Sequence, residues 1–267
     1  MNYVLTGHRG LIGSCLLRRL KDAGHTPVSL VDVRGNRVGN DSKDIRDMKH
    51  WDLGDKKVDV VFHLASFCKI NRCIAQPELA FEHNSHGTHS VMEFCRRNNV
   101  PKVIFTSSTR VLYPEKNPYT ASKIYGEELV KSYGIDYTIV RPSTVYGPYM
   151  DATRRLMQIW IEAALKDEEL KIFGDENKTL DFTYVEDFVV ALSQASEHSN
   201  SEFNVGSGRE TKLVDVANII IDTVGSGRVA FYPAEELQPQ NVCVDTDFPC
   251  NTSLEYGIKQ NIDFLKQ

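Results

Sequence analysis

Short apolar runs alternate with longer amphipathic segments along the first half of the chain. The apolar runs are rich in β-branched residues, which predicts strands that are covered on both faces. The segments between them carry apolar residues at helical spacing and predict the crossover helices of a parallel sheet. The predicted strands cover residues 3–6, 27–31, 58–64, 102–106 and 136–140, and the predicted helices cover residues 11–23, 78–98 and 119–133.

Beyond residue 145 the alternation becomes less regular. A helix over residues 153–166, a strand over 170–173, a helix from Val185 and a strand over 203–205 are predicted there. No linker separates this part from the first, so we expect the two to pack continuously. The sequence therefore predicts an α/β protein with a doubly wound parallel sheet in residues 1–148 and a smaller lobe in residues 149–267.

Composition and charge narrow the possible functions. Of 267 residues, 41% are hydrophobic and 25% are charged, as in ordinary globular proteins. Lys and Arg number 31 against 36 Asp and Glu, which gives a net charge of -5 without long runs of one sign. This pattern argues against a nucleic-acid or membrane surface. The chain shows neither a signal sequence nor an apolar stretch long enough to cross a bilayer, so we expect a cytoplasmic protein.

The cysteines and histidines do not predict a metal site. Cys68 and Cys73 lack a second Cys or His pair at zinc-site spacing. His83, His86 and His89 are three residues apart and point to different sides of a helix. In a reducing compartment scattered cysteines are usually small buried hydrophobic residues, so we expect thiols throughout. The six cysteines are Cys15, Cys68, Cys73, Cys95, Cys243 and Cys250.

A glycine-rich turn follows the first predicted strand. Gly7 permits a tight turn, Gly10 lets the backbone approach a pyrophosphate, and Gly13 lets the next helix pack closely on the strand. The helix N-terminus then faces the anion. Asp32 ends the second strand, where a carboxylate can accept hydrogen bonds from the adenosine ribose. This favours NAD over NADP, although the neighbouring Arg34 could bind a 2′-phosphate instead.

A tyrosine and a lysine lie four residues apart at the start of a predicted helix. At this spacing the side chains of Tyr119 and Lys123 reach the same face. A phenol is a poor base at neutral pH, but a neighbouring cation favours the phenolate. Thr109 follows the end of a strand, where its hydroxyl can hydrogen-bond a reacting oxygen. These three residues are the predicted catalytic set.

In these features the chain resembles the extended short-chain dehydrogenases/reductases, in the NAD-dependent epimerase/dehydratase branch. The resemblance covers nearly the whole length, from the TGHRGLIG turn through FHLAS, TSST and YTASK to RPSTVYGP, DFTYV and NVG. It implies a Rossmann-type fold, NAD as cofactor, a C-terminal substrate-binding lobe and a homodimer. It gives Thr109 the family's Ser/Thr position. The cofactor-binding residues that the turn, the strand ends and the resemblance together indicate are Gly7, Arg9, Gly10, Leu11, Ile12, Gly13, Asp32, Arg34, Asp44, Ile45, Leu64, Ala65, Ser66, Asn84, Thr106, Ser107, Tyr119, Lys123, Arg141, Pro142, Ser143 and Thr144.

Two departures from the family pattern bear on the reaction and the substrate. Family dehydratases and decarboxylases have an acidic residue just after the catalytic hydroxyl, whereas this chain has Arg110 and Val111. Leu180 stands where many members have an arginine that clamps the substrate diphosphate. Other cations could replace that arginine, although for each of them a solvent-exposed surface charge is the favoured interpretation. The candidates are Arg154, Arg155, Lys178 and Arg209.

The sequence as a whole predicts an NAD-dependent nucleotide-sugar epimerase. In such an enzyme Tyr119 removes a hydroxyl proton while hydride leaves for NAD, and hydride then returns to the other face of the keto sugar. One alternative is an NAD(P)-dependent sugar-nucleotide reductase or dehydrogenase. A second is a regulator that binds NAD without chemistry, which would not need Tyr119 and Lys123.

Overall fold

A computed structural model describes residues 1–33, 43–113, 116–149, 153–234 and 242–267. The chain divides into two compact units. The first comprises Met1–Arg141 and Leu192–Phe203, and the second comprises Pro142–Ala191 and Asn204–Gln267. The chain thus returns to its first unit after entering the second. The boundary predicted after residue 148 stays a prediction.

Strands and helices alternate along the described residues. The strands are β1 (Asn2–Thr6), β2 (Thr26–Val31), β3 (Val60–His63), β4 (Lys102–Thr106), β5 (Asp136–Pro142), β6 (Thr144–Tyr146), β7 (Glu169–Phe173), β8 (Thr179–Leu180), β9 (Phe182–Tyr184), β10 (Ser201–Val205), β11 (Thr211–Lys212) and β12 (Arg228–Tyr232). The α-helices are α1 (Leu11–Asp22), α2 (Ile70–Ala75), α3 (Pro77–Ala80), α4 (Gly87–Arg97), α5 (Pro118–Ser132), α6 (Leu156–Ala164), α7 (Val185–Ala195), α8 (Leu213–Val224) and α9 (Leu254–Leu265). Phe81–His86 form a π-helical turn between α3 and α4, and Ile45–His50 and Thr109–Leu112 form 3-10 helices.

The first unit is built on a six-stranded sheet in the order β2-β1-β3-β4-β5-β10. β1 is parallel to both β2 and β3, and the parallel pairing continues from β3 to β4 and from β4 to β5. The strand order changes direction at β1, because β2 and β3 lie on its opposite sides. In doubly wound sheets ligands bind at the carboxyl ends of strands beside such a switch point. The predicted Rossmann-type fold is confirmed.

The core of this unit is formed by side chains on one face of the sheet and by the helices that cover it. Val4, Val61, Val103 and Ile139 come from four parallel strands and pack with Phe94 of α4. Each is fully buried, and so are Tyr3, Leu5 and Ile104 at alternate positions of β1 and β4, which explains why these strands are apolar without alternation.

Helix α5 lies unusually close to β4. A methyl group added to Gly126 would come within 2.6 Å of the Phe105 ring, so the absence of a side chain lets this ring pack under the helix. The close approach holds the first two turns of α5, with Tyr119 and Lys123, near the carboxyl end of β4.

The second unit has its own hydrophobic core around Trp160 of α6. Trp160 is buried and packs with residues of α8 and α9, among them Ile220 and Ile258. Its strands pair two by two: β6 with β9, β7 with β12 and β8 with β11. The prediction found β7 and β10 of this region but not the two-residue strands β8 and β11, whose pattern is too short to recognise, nor α8 and α9 beyond residue 205. In the part of the chain that the structure describes, no helix is long and apolar enough to span a membrane.

Candidate functional site

The glycine turn between β1 and α1 is packed too closely for any side chain at two positions. Gly7 has φ of +73°, and a Cβ there would lie 2.8 Å from the Ala65 nitrogen. A Cβ on Gly13 would lie 2.1 Å from the Gly7 carbonyl oxygen. Gly10 precedes the helix and has no side chain to cap it, so backbone N–H groups of the first turn, which includes Leu11 and Ile12, remain for an anion.

Asp32 lies just beyond the end of β2 and is buried. Its Oδ2 accepts a hydrogen bond from the Arg9 backbone nitrogen at 3.0 Å. This bond connects the glycine turn to the strand end from which a carboxylate reaches a ribose in dinucleotide-binding proteins. Arg34 lies outside the described residues.

Two buried hydroxyl groups stand at the carboxyl end of β4. Thr106 and Ser107 are 6% and 2% exposed. Neither hydroxyl has a hydrogen-bond partner within the described ranges of the chain. A buried hydroxyl without a partner costs free energy, so a polar ligand group at this strand end would stabilise both.

Lys123 brings a buried positive charge to the same place. Its Nζ donates a hydrogen bond to the Thr106 carbonyl at 2.9 Å and lies 5.1 Å from the centre of the Phe105 ring and 6.0 Å from that of Tyr119. Burial lowers the pKa of Lys123 to about 8, against the opposing fields of Cys68 and Glu127. A cation this close to the Tyr119 ring favours ionisation of the phenol. The structure therefore brings Tyr119 and Lys123 together as the sequence predicted.

The third predicted catalytic residue, Thr109, begins the 3-10 helix that follows β4. It is 3% exposed. Ser108 caps this helix by accepting a hydrogen bond from the Arg110 nitrogen at 3.3 Å. Ser108 therefore offers a second hydroxyl beside Thr109, and the role of Thr109 stays a prediction.

Asn84 is fully engaged with the protein. Its Oδ1 accepts hydrogen bonds from the Phe67 nitrogen at 2.7 Å and the Ser66 hydroxyl at 3.1 Å. Its Nδ2 donates to the Phe67 carbonyl and to the Ser122 hydroxyl, both at 3.0 Å. Asn84 thus joins the segment after β3 to helix α5, one residue before Lys123. The sequence predicted Asn84 and Ser66 as cofactor-binding residues but contained no sign of this connection.

The Arg141 side chain also binds other side chains of the protein. Its guanidinium makes two hydrogen bonds to Glu127, at 2.8 and 2.5 Å, and an ion pair with Glu202. The pKa of Arg141 is raised, first by the hydrogen bond to Glu127. Glu127 is 4% exposed and lies one helical turn after Lys123. Sequence reasoning missed Glu127, whose only sign was a carboxylate on the buried side of α5.

Four further residues that were predicted to bind the cofactor, Asp44, Ile45, Leu64 and Ala65, make contacts within the first unit. Asp44 caps the first 3-10 helix and forms an ion pair with Arg46. Ile45 is buried against Gly87, where an added Cβ would lie 2.5 Å from the Ile45 Cδ1 atom. The backbone nitrogens of Leu64 and Ala65 both donate to the Thr6 hydroxyl at 3.1 Å. These contacts fix the segments around the carboxyl ends of β1 and β3.

Pro142, Ser143 and Thr144 belong to the second unit. Ser143 donates its N–H to the Val205 carbonyl, and its hydroxyl lies 2.5 Å from that of Thr183. The Thr144 nitrogen donates to the Asp181 carbonyl at 3.0 Å. Their binding to a cofactor stays a prediction. Within the described ranges, no group of His, Cys, Asp and Glu residues could hold a metal ion.

These features fit a dinucleotide. The glycine turn is closed to side chains, a carboxylate ends β2, and Thr106, Ser107 and Lys123 offer polar groups at the end of β4. Such an arrangement suits a pyrophosphate at the turn and hydroxyl-bearing groups at the strand ends.

Comparisons with known proteins agree with this fit. The model of the NAD dependent epimerase/dehydratase family matches residues 3–206. A Methanocaldococcus jannaschii protein, provisionally named UDP-glucose 4-epimerase, is 32% identical, and the match covers 98% of each chain. The crystal structure of UDP-glucose 4-epimerase with UDP-glucose from Thermotoga maritima has a TM-score of 0.88 at 26% identity, covering 100% of this chain and 99% of that one. A UDP-N-acetyl-alpha-D-glucosaminuronate decarboxylase of Bacillus cytotoxicus is 27% identical over 99% of this chain and 97% of its own.

The buried ammonium gives the protein a measurable pH dependence. The folded-state pKa of Lys123, about 8, lies below the ordinary 10.5, so the unfolded chain binds more protons between these values. The free energy of unfolding should rise as the pH increases through this window, because the buried charge is lost. The variant Lys123→Met has no titrating group at this position. Between about pH 8 and about pH 10.5 we expect the free energy of unfolding of the wild type to rise on the order of 3 kcal/mol more than that of the variant. Denaturant titrations of both proteins across this range measure it, and parallel curves would contradict the prediction.

Proposed function

Because the chain belongs to the NAD dependent epimerase/dehydratase family, we propose that it is a nucleotide-sugar epimerase that acts on a UDP-hexose. The observation that carries this proposal is the buried Lys123 ammonium beside Tyr119, at a strand end where the Thr106 and Ser107 hydroxyls have no hydrogen-bond partner among the described residues. The relatives named UDP-glucose 4-epimerase support the substrate class.

Each residue of the candidate site has a separate role in the proposed reaction. Bound NAD supplies a reversible hydride acceptor, held by the glycine turn, Asp32 and the polar groups at the end of β4. Tyr119 takes the proton of the sugar hydroxyl and later gives it back. Lys123 stabilises the phenolate form of Tyr119, and does so more strongly in its buried position than it would in water. Thr109 is proposed to hydrogen-bond the reacting oxygen.

Epimerisation is favoured over elimination or decarboxylation by the two residues after the catalytic hydroxyl. Arg110 and Val111 supply no carboxylate there. The chain therefore lacks, at these two positions, the carboxylate that family dehydratases and decarboxylases have for proton transfer next to the keto carbon. Return of the hydride to the opposite face of the sugar is the simplest reaction that remains.

The proposal predicts catalysis without net consumption of cofactor. Because the hydride returns within each cycle, purified protein should interconvert epimers of a UDP-hexose with no change in NADH absorbance. Tyr119→Phe should lower turnover at least about a hundredfold while NAD binding is kept. Tyr125→Phe, on the exposed side of the same helix, is the matched control and should remain active.

Two results would contradict this reaction. If NADH is formed or consumed in stoichiometric amounts, the enzyme is the alternative reductase or dehydrogenase. If wild-type protein binds NAD but converts no UDP-sugar, the regulator that lacks chemistry replaces the enzyme.

We further propose Arg209 as the cation that binds the substrate diphosphate. Of the four candidate cations, Arg154 is paired with Glu162, Arg155 donates to the Val145 carbonyl at 3.3 Å, and Lys178 is only partly exposed. The Arg209 side chain is exposed. It has no ion pair within the part of the chain that the structure describes.

The backbone before Arg209 is held by a buried carboxylate. Asp181, 1% exposed, accepts hydrogen bonds from the Ser207 nitrogen at 2.8 Å, its hydroxyl at 2.7 Å and the Gly208 nitrogen at 3.2 Å. Arg209 lies two residues before Thr211, which pairs with Leu180 between β11 and β8. Arg209 is therefore close, along the pairing of β11 with β8, to Leu180, the position at which many family members have the arginine that clamps the diphosphate.

The variant Arg209→Gln tests this assignment. Loss of a charge-assisted hydrogen bond to phosphate costs about 2 kcal/mol, so KM for the UDP-sugar should rise at least about tenfold with kcat nearly unchanged. Arg228→Gln, at an exposed arginine paired with Glu169, is the matched control and should not alter KM. Equal KM values for wild type and Arg209→Gln would remove Arg209 from the substrate site.

A homodimer is also proposed. Phe81 in the π-helical turn and Ile124 and Tyr125 on α5 are 64%, 38% and 45% exposed, and these two segments pack against each other. Exposed aromatic and aliphatic side chains on neighbouring helices are typical of a surface covered by a second copy of the chain. A cytoplasmic location stays a prediction from the sequence.

Light scattering at micromolar concentration tests the dimer. Phe81→Glu places a charge in the proposed interface, so we expect a dimer mass for the wild type and a monomer mass for the variant. Phe231→Glu makes the same change at a 51% exposed position in the second unit and should leave the mass unchanged. A monomeric wild type would contradict the proposal.

A further inference from the structure

A buried histidine lies between two threonines in the first unit. His63, at the end of β3, is 1% exposed. Its Nδ1 lies 2.8 Å from the Thr6 hydroxyl, and its Nε2 lies 3.1 Å from the Thr88 hydroxyl. The site described above does not use His63.

The surrounding groups determine which ring nitrogen carries the proton. The Thr6 oxygen already accepts N–H groups from Leu64 and Ala65, so its own proton is left to donate to Nδ1 of His63. Nδ1 must then be the unprotonated nitrogen, and Nε2 carries the hydrogen that it donates to Thr88. The Thr88 hydroxyl in turn donates to the Asn84 carbonyl at 2.5 Å. All donors thus point in one direction, from β1 to the π-helical turn.

Burial and a neighbouring charge keep this histidine neutral. Its ring lies 5.6 Å from the Phe105 ring, over which the Lys123 ammonium is placed at 5.1 Å. Burial, with a smaller effect of the Lys123 charge, lowers the pKa of His63 to about 3. The ring therefore holds one tautomer throughout the pH range in which proteins work.

The chain of hydrogen bonds continues to the reacting residues. The carbonyl that receives the Thr88 proton belongs to Asn84, whose side chain binds the Ser122 hydroxyl at 3.0 Å. Ser122 donates to the Tyr119 carbonyl at 2.7 Å. Hydrogen bonds thus connect His63 through Thr88, Asn84 and Ser122 to the first turn of α5.

We propose that His63 is a positioning residue, locked as the neutral Nε2–H tautomer, which holds the π-helical turn at Asn84 and thereby sets Tyr119 and Lys123 relative to the end of β1. The effect on turnover rests on the proposed function, whereas the tautomer does not. His63 touches neither substrate nor cofactor in this role.

Nitrogen-15 NMR of histidine-labelled wild-type protein tests the tautomer directly. We expect the His63 Nδ1 shift of an unprotonated nitrogen and the Nε2 shift of a protonated one, unchanged from about pH 5 to about pH 8. The signal is assigned by its loss in His63→Gln. A protonated Nδ1, or titration to the imidazolium within this range, would overturn the proposal whether or not the protein is an epimerase.

Matched threonine variants test the positioning role. Thr88→Val leaves Nε2 of His63 without its acceptor and removes the hydroxyl bond to the Asn84 carbonyl, which keeps its backbone donor from Gly87. We expect kcat to fall about tenfold or more with KM nearly constant. Thr88→Ser keeps the hydroxyl and should restore kcat. Thr138→Val is the control. Thr138 lies on β5 and is fully buried, and its hydroxyl likewise donates to a backbone carbonyl, that of His198, at 2.6 Å. It should lower the melting temperature by a similar amount without changing kcat.

The outcomes separate positioning from general stability. A fall in kcat for Thr88→Val alone, with rescue by Thr88→Ser, supports the proposal. Equal kcat values for Thr88→Val and Thr138→Val would overturn it. If wild-type protein epimerises no UDP-sugar, the proposed function fails, while the NMR result still decides the tautomer.

Discussion

Removing the Lys123 ammonium from water is the constraint on which the site depends. A buried charge is tolerated only when polar or aromatic groups compensate for the lost hydration. Here the Thr106 carbonyl, the faces of two aromatic rings and the field of Glu127 do so. Because the surroundings screen little, the same charge acts strongly on the neighbouring phenol.

Several other features exist because this charge has to be held in place. Gly126 lets α5 approach β4 closely enough for Phe105 to lie under the ammonium. Glu127 is kept in position by Arg141, which connects the helix to β5. The same charge adds to burial in disfavouring a proton on His63, whose ring lies 5.6 Å from the Phe105 ring. A glycine, a salt bridge and a neutral histidine thus surround this one cation.

The sequence predicted those parts of the fold and site that depend on local spacing. The parallel strands followed from apolar runs, the turn from glycines at three-residue intervals, and the meeting of Tyr119 and Lys123 from their separation on a helix. The contacts of Asn84 and Arg141 could not be predicted in this way. Asn84 joins segments 17 and 38 residues distant, and Arg141 binds carboxylates 14 and 61 residues away. Such pairings depend on the tertiary arrangement, for which neither periodicity nor motif gives a rule.

The interleaved course of the chain has a consequence for its synthesis. Residues 192–203 return to the first unit and bring the first three residues of β10, the edge strand beside β5. They also bring Glu202, one of the two carboxylates that bind Arg141. When only the first 141 residues have emerged from the ribosome, β5 therefore lacks its neighbour β10, and Arg141 lacks its partner Glu202. The nascent chain must remain in this incomplete state until about sixty further residues have emerged, a period during which an open β-edge is exposed to association with other chains.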